Sequence, residues 1–167
     1  MRRPAVELVP SYLGSLEEMR QVGETVWPGW MPKDGESHVD FVEGLAREAR
    51  ELGPTGVPTS TWWGVDGEVV VGRIVVRHRL TEKLRVFGGH VSYEVRPSRR
   101  RQGLATGMLR LLLEEAEARE LGRLSLTCSP DNLASNRTIL ANGGVLERSA
   151  IAEGVGRMTN YYWILVG

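Results

Sequence analysis

Apolar residues change their spacing along this chain, and each change marks an element. From His90 to Arg96 the apolar Val91, Tyr93 and Val95 alternate with polar neighbours, the period of a strand with one buried face. From Leu104 to Leu121 the period lengthens to four in Leu104, Met108, Leu112 and Ala116, which predicts a helix closed by Gly122. Between them lies a Pro-bounded basic turn, Arg96-Pro97-Ser98-Arg99-Arg100-Arg101-Gln102-Gly103. A strand running through such a turn into a helix N-terminus is an anion site in outline. Free amides point at the turn, the helix dipole favours negative charge, and Arg side chains add bidentate phosphate contacts.

The same reading orders the rest of the chain. Val6 to Val9 reads as a short strand stopped by Pro10, and Ser15-x-x-Glu18 as a capping box within a first helix over much of Ser11 to Val22. Trp27-Pro28-Gly29-Trp30-Met31-Pro32 breaks structure. Ser37-x-x-Asp40 caps a second helix with Phe41, Val42, Leu45 and Ala49 on one face, ended by Gly53. Thr61 to Val65 and Glu68 to Arg77 form a hairpin on Asp66-Gly67, read as a type I′ turn. His78 to Gly88 is irregular, with one helical turn around Lys83-Leu84. After the long helix come a strand from Arg123 to Cys128, a helix capped by Asp131-Asn132 and stopped by Asn142-Gly143-Gly144, and strands at Val145 to Ala150 and Asn160 to Val166. The one strand-helix-strand unit carries the basic turn, so its crossover predicts a right-handed parallel pair.

With 167 residues, no repeat and no linker, residues 1–167 read as one α/β (α+β) domain. A formal net charge of +0 excludes bulk attraction to nucleic acid or to a membrane, so only local basic clusters matter. Positive charge is almost wholly arginine, with lysine only at Lys33 and Lys83. A lone Cys128 fits a reducing compartment, and no targeting segment or bilayer-length apolar run is read, which predicts a cytoplasmic protein. As a nucleophile Cys128 has no triad spacing behind it; a buried strand cysteine is the simpler reading.

The spacing Arg100-x-x-Gly103-x-Ala105 is neither a Rossmann fingerprint nor a Walker loop. From Val95 to Ala105 it resembles motif A of the GNAT N-acetyltransferase family, and the likeness extends over most of the chain. It includes Gly72-Arg73-Ile74, Arg77-His78-x-Leu80, Gly88-Gly89-His90, Thr127-Cys128, Asp131-Asn132, Ser135, Asn142-Gly143-Gly144 and Tyr162-Trp163-Ile164. The resemblance implies a mixed, mostly antiparallel sheet with one splayed parallel pair and about four flanking helices. It also implies acetyl-CoA as acyl donor without a metal, its pyrophosphate held by the turn. Carried over, the cofactor contacts are Val95, Arg100, Arg101, Gln102, Gly103, Leu104, Ala105, Thr106, Asn132 and Ser135, with a backbone amide near Val95 polarising the thioester carbonyl.

One position departs from the family pattern. Aligning Asn132 and Gly143 places Ile139 where many members carry a tyrosine that protonates the departing thiolate. Tyr161, Tyr162, Ser129 or a water are the alternatives, or the thiolate leaves unprotonated.

Glu94 and His90 share a face of the central strand with Ser92 between them, and either could accept the proton of an attacking amine. The bland readings are an ion pair for Glu94 and a structural histidine for His90. Trp27 and Trp30, between the first two helices, and His78 are candidates for the acceptor site; His38 reads as surface. The reaction implied is acetyl transfer to a primary amine of a small molecule or peptide, with a silent acyl-CoA-binding module as the alternative. The acyl group could exceed acetyl. A monomer or a homodimer through the late strands fits equally.

Overall fold

A computed structural model describes all residues, 1–167. Two three-stranded antiparallel sheets form its centre, ordered β1-β2-β3 and β4-β6-β5. The strands are β1 Thr59–Asp66, β2 Val69–Arg77, β3 Val91–Val95, β4 Arg123–Cys128, β5 Val145–Ile151 and β6 Met158–Leu165. Helices α1 Val9–Gln21 and α2 His38–Arg47 precede the first sheet, and α3 Glu82–Val86 leads into β3. Then α4 Leu104–Leu113 and α5 Ala116–Leu121 connect β3 to β4, and α6 Leu133–Ala141 follows β4.

Strand alternation sorts the core into two layers. Adjacent Trp62 and Trp63 point to opposite faces of β1. Trp62 joins Ile74, Val76, Met108, Leu112, Leu126 and Ile164 in one cluster. Trp63 joins Tyr12, Leu16, Phe41 and Leu45 in the other, where its ring stacks on Tyr12 at 4.5 Å. The Tyr12 hydroxyl donates to the Trp30 carbonyl (2.9 Å), which ties the Trp-containing loop to α1.

The two sheets meet at one close approach. The His90 amide donates to the Ser125 carbonyl (2.7 Å), and the Ser125 amide donates back to His90 Nδ1 (2.9 Å). Gly89 permits this because its φ is +65° and a Cβ there would lie 2.4 Å from the Ser125 carbonyl oxygen. The bridge between the sheets is Gly89 with Leu126, in the antiparallel sense. Past it β3 and β4 have no ladder, so the parallel pair read from the sequence is not a hydrogen-bonded pair. A cavity of about 370 Å³ opens between them, lined by Val91, Tyr93, Cys128 and Ser135 among others.

Several expectations are corrected. Val6–Leu8 is a 3₁₀ turn, not a strand, and Pro10 sits in the first turn of α1, where its missing N–H costs nothing. The N-terminal strand pairing shrinks to one bridge, Arg2 with Trp63. Ser15 is buried mid-helix and donates to the Tyr12 carbonyl (2.6 Å), so it caps nothing. Helix α2 starts at the Ser37 cap as read but ends at Arg47, ahead of Gly53. In the hairpin Asp66 pairs with Val69, leaving Gly67-Glu68 as the loop with positive φ only at Gly67, the type II′ pattern. The long helix breaks at Glu114-Glu115, and with the short α3 this makes six α-helices rather than four.

Candidate active site

The basic turn leaves β3 as a 3₁₀ turn, Pro97–Arg99, passes through Arg101 in the left-handed region (φ 60°) and Gly103 (φ 75°), and enters α4. The Arg100 amide donates to the Pro97 carbonyl (3.3 Å), and the next amide of this stretch to bond to the protein is that of Gly107, donating to the Gly103 carbonyl (2.9 Å). The amides from Arg101 to Thr106 have no protein acceptor, which makes this turn a nest of free donors at a helix N-terminus. They face a cavity of about 630 Å³. Val95, Arg100, Arg101, Gly103, Leu104, Ala105, Thr106, Asn132 and Ser135 all line it; Gln102 does not.

Individual side chains are committed in ways the motif did not reveal. Arg96 turns inward and donates from Nε to Glu18 (2.7 Å), whose other oxygen accepts the Ser98 amide (3.1 Å). Arg99 pairs with Asp66. Arg100 donates from Nε to the Val95 carbonyl (3.1 Å) and grips Glu24 with both terminal nitrogens (2.6 and 2.7 Å). That pair, through its hydrogen bonds, holds the Glu24 carboxyl below the usual carboxylate range. Arg101 makes no ion pair, so it is the free cation of the arginine run. Asn132 accepts the Ser135 amide (3.0 Å) as the cap of α6, and Ser135 Oγ is 2.8 Å from the Tyr93 hydroxyl.

A second cavity of about 390 Å³ lies on the other face of the first sheet, and Trp27 and Trp30 line it with Glu48, Arg73, Arg77 and Ser92. Glu94 and Arg73 join the two cavities: Glu94 lines the first, Arg73 lines the second, and the two pair at 3.4 Å. Burial raises the Glu94 carboxyl above its ordinary range, against the opposing charge of Arg73. His90 lines neither cavity. Its Nδ1 accepts the Ser125 amide, and burial, with Arg85 and Arg77 nearby, lowers its pKa to about 4. A neutral imidazole held in that bond acts as a clamp between the sheets. His78 is also elsewhere: alternation on β2 turns Arg73 and Arg77 toward the cavity and His78 away from it, where Nε2 lies 2.9 Å from Ser60 Oγ.

Ile139 is buried in the core, leaving no polar group at the position the family gives to tyrosine. Tyr161 donates to the Val86 carbonyl and Tyr162 to Asn136, so both tyrosine alternatives are tied up. Tyr93 lines both the cavity at the basic turn and the gap between the sheets, and burial lifts its pKa to about 12. Sequence reading counted Tyr93 as an apolar strand position within the family likeness and gave it no site role. Arg73, Arg77 and Glu24 were missed too; arginines on a core-facing strand were the one available signal.

Comparison with known proteins agrees with this geometry. Curated proteins give no match. The microcin C7 self-immunity acetyltransferase MccE, solved with acetyl-CoA and AMP, is 19% identical over 98% of this chain and 90% of its own, with a TM-score of 0.65. The ribosomal L7/L12 acetyltransferase RimL, solved with coenzyme A, is 18% identical over 99% of this chain and 92% of its own (TM-score 0.69). Mycobacterium smegmatis RimJ, solved with CoA-disulfide, is 20% identical over 98% of this chain and 80% of its own (TM-score 0.66). These likenesses are of fold. The model of the acetyltransferase (GNAT) family matches residues 20–143, about three quarters of the sequence, so the chain belongs to the GNAT acetyltransferase family and is an acyltransferase.

Proposed function

We propose that the protein, acting as one domain over 1–167, transfers the acetyl group of acetyl-CoA to a primary amine by direct attack in a ternary complex. The observation that carries this is the shared wall. The cavity floored by the free amides of Arg101 to Thr106 meets the Trp-lined cavity at the Glu94–Arg73 pair. The amide nest with Arg101 suits the cofactor's pyrophosphate, and the cavity leads from there along β3 to Glu94. Solved relatives bound to acetyl-CoA or coenzyme A support the same donor.

Acceptor and donor then meet at β3. The cofactor supplies the activated acyl group, so the protein's work is positioning and proton handling. Ionised Glu94 takes a proton from the ammonium, directly or through water, and the neutral nitrogen attacks the thioester carbon. A backbone amide near Val95 stabilises the oxyanion. The new C–N bond forms as the C–S bond breaks; Glu94 passes its proton to solvent, the nitrogen's surplus proton follows, and the thiolate takes one from Tyr93, which recovers its own from solvent. The products are the acetamide and free coenzyme A thiol. A cytoplasmic setting belongs to the proposal, supported by the single, buried Cys128. No helix is long and apolar enough to cross a membrane.

Glu94→Gln tests the assignment. Acetyl-CoA affinity by calorimetry stays within about twofold, while kcat falls by about two orders of magnitude, the usual worth of a general base. Because ionised Glu94 is the active form and burial raises its pKa, wild-type kcat climbs with pH along a limb above the ordinary Glu range, and that limb disappears in the variant. Unchanged kcat in Glu94→Gln would remove Glu94 from the mechanism.

A further inference from the structure

The second cavity carries an uneven set of charges. Arg73, Arg77 and Lys83 line it, against one carboxylate, Glu48. Arg73 is already engaged, paired with Glu94 at 3.4 Å and lying 5.0 Å over the Trp30 ring. Arg77 is different. It donates to two neutral acceptors, the Gly89 carbonyl (3.0 Å) and Ser92 Oγ (3.2 Å), and no carboxylate lies within ion-pair distance. Its Nε is buried without any partner. Lys83, at the rim on α3, has no ion pair either.

Holding an unneutralised guanidinium in a half-buried wall costs stability, since each lost water contact needs a replacement. Burial and the neighbouring Arg73 charge both push the Arg77 pKa down, the signature of a cation short of counter-charge. Glu94 is the nearest relief, and it is shared with Arg73. The other walls are aromatic: Trp27 is 60% exposed and Phe87 46% exposed, both on the cavity, with Trp30 beside them. Large apolar rings left open around a buried cation describe a receptor for a ligand with a flat or apolar body and a negative group.

Resting on the acetyl-transfer reading above, we infer that the acceptor is an anionic amine: its carboxylate or phosphate sits on Arg77 and Lys83, its apolar body lies against Trp27, Trp30 and Phe87, and its amino group reaches Glu94. A polycationic acceptor is disfavoured on the same grounds. It would have to place positive charge beside Arg77 and Arg73, with Glu48 as its only attraction in the lining.

Four probes separate the possibilities on the acetyl-CoA-loaded protein: phenylethylamine, phenylalanine, O-phosphotyramine and spermidine. Calorimetric binding decides the inference, and thiol release on turnover decides the transfer reading. Phenylalanine or O-phosphotyramine binds at least tenfold tighter than phenylethylamine, and which of the two leads identifies carboxylate or phosphate as the anion. Arg77→Gln cancels that advantage without weakening phenylethylamine, and Arg77→Lys restores part of it. Lys83→Gln, on the surface of α3, reduces the same ratio two- to fivefold and gives a reading even if Arg77→Gln does not fold. Equal binding of charged and neutral amines, or a preference for spermidine, overturns the inference. Charge-selective binding without any acetylation sustains it and defeats the transfer reading instead.

Discussion

His90 gives the sharpest quantitative prediction, because one protonation undoes one of the hydrogen bonds that join the two sheets. In the folded protein its Nδ1 accepts the Ser125 amide at 2.9 Å, while its own amide donates to the Ser125 carbonyl at 2.7 Å. Protonation turns Nδ1 into a donor facing a donor. The folded pKa of about 4 lies below the ordinary 6.5, so between these values the unfolded chain binds more protons and stability rises with pH. The contribution is complete above the unfolded pKa and is lost as pH falls toward the folded one. At about 1.4 kcal/mol per pH unit the whole window is worth about 3 kcal/mol, and about 2 kcal/mol of it disappears between about pH 7.5 and about pH 5. The assay is urea unfolding at both pH values for wild type and for His90→Asn, which does not titrate. Glu18, Glu24 and Glu117, all held below the usual carboxylate range, act only at lower pH, and they cancel in the comparison. If wild type and variant lose the same stability between the two pH values, the imidazole is not the clamp described here.

Two glycines with similar φ angles should respond very differently to alanine. Gly89→Ala puts a Cβ 2.4 Å from a backbone oxygen in addition to a left-handed φ, and costs about 2–4 kcal/mol in denaturation. Gly103→Ala meets only open space, costs about 1 kcal/mol, and shows its larger effect as weakened acetyl-CoA binding; equal stability losses at the two sites would refute the steric account. Glu24→Gln breaks an ion pair that is 39% exposed on both sides, so stability changes by less than about 1 kcal/mol. Removing that negative charge beside the cavity at the basic turn should tighten acetyl-CoA binding by about three- to tenfold at low salt. Weaker binding would mean that Glu24 is needed to aim Arg100.

The features legible in the sequence were those that neighbours along the chain decide. The β3–turn–α4 segment was readable because Val91, Tyr93 and Val95 alternate, Pro97 bounds the turn, and Gly103 supplies a left-handed φ before the first helical residue. The caps at Ser37 and Asn132 and the stop at Gly143 were legible for the same reason, their partners lying three residues away. The misreadings arose where distant residues intervene. Val6–Leu8 has strand-forming composition, but it packs under α1 and α2, and Arg2 takes the place beside Trp63. Arg96 and Arg100 belong to the basic run by spacing, yet Glu18 and Glu24, more than seventy residues earlier, claim them and leave Arg101 as the free cation. His90 and Glu94 share a strand face and were equal candidates. Tertiary packing separates them, spending the imidazole on Ser125 across the sheet gap and setting the carboxylate between two cavities. Local backbone preference extends only a few residues, whereas the protonation, pairing and exposure of a side chain depend on whatever the fold brings against it.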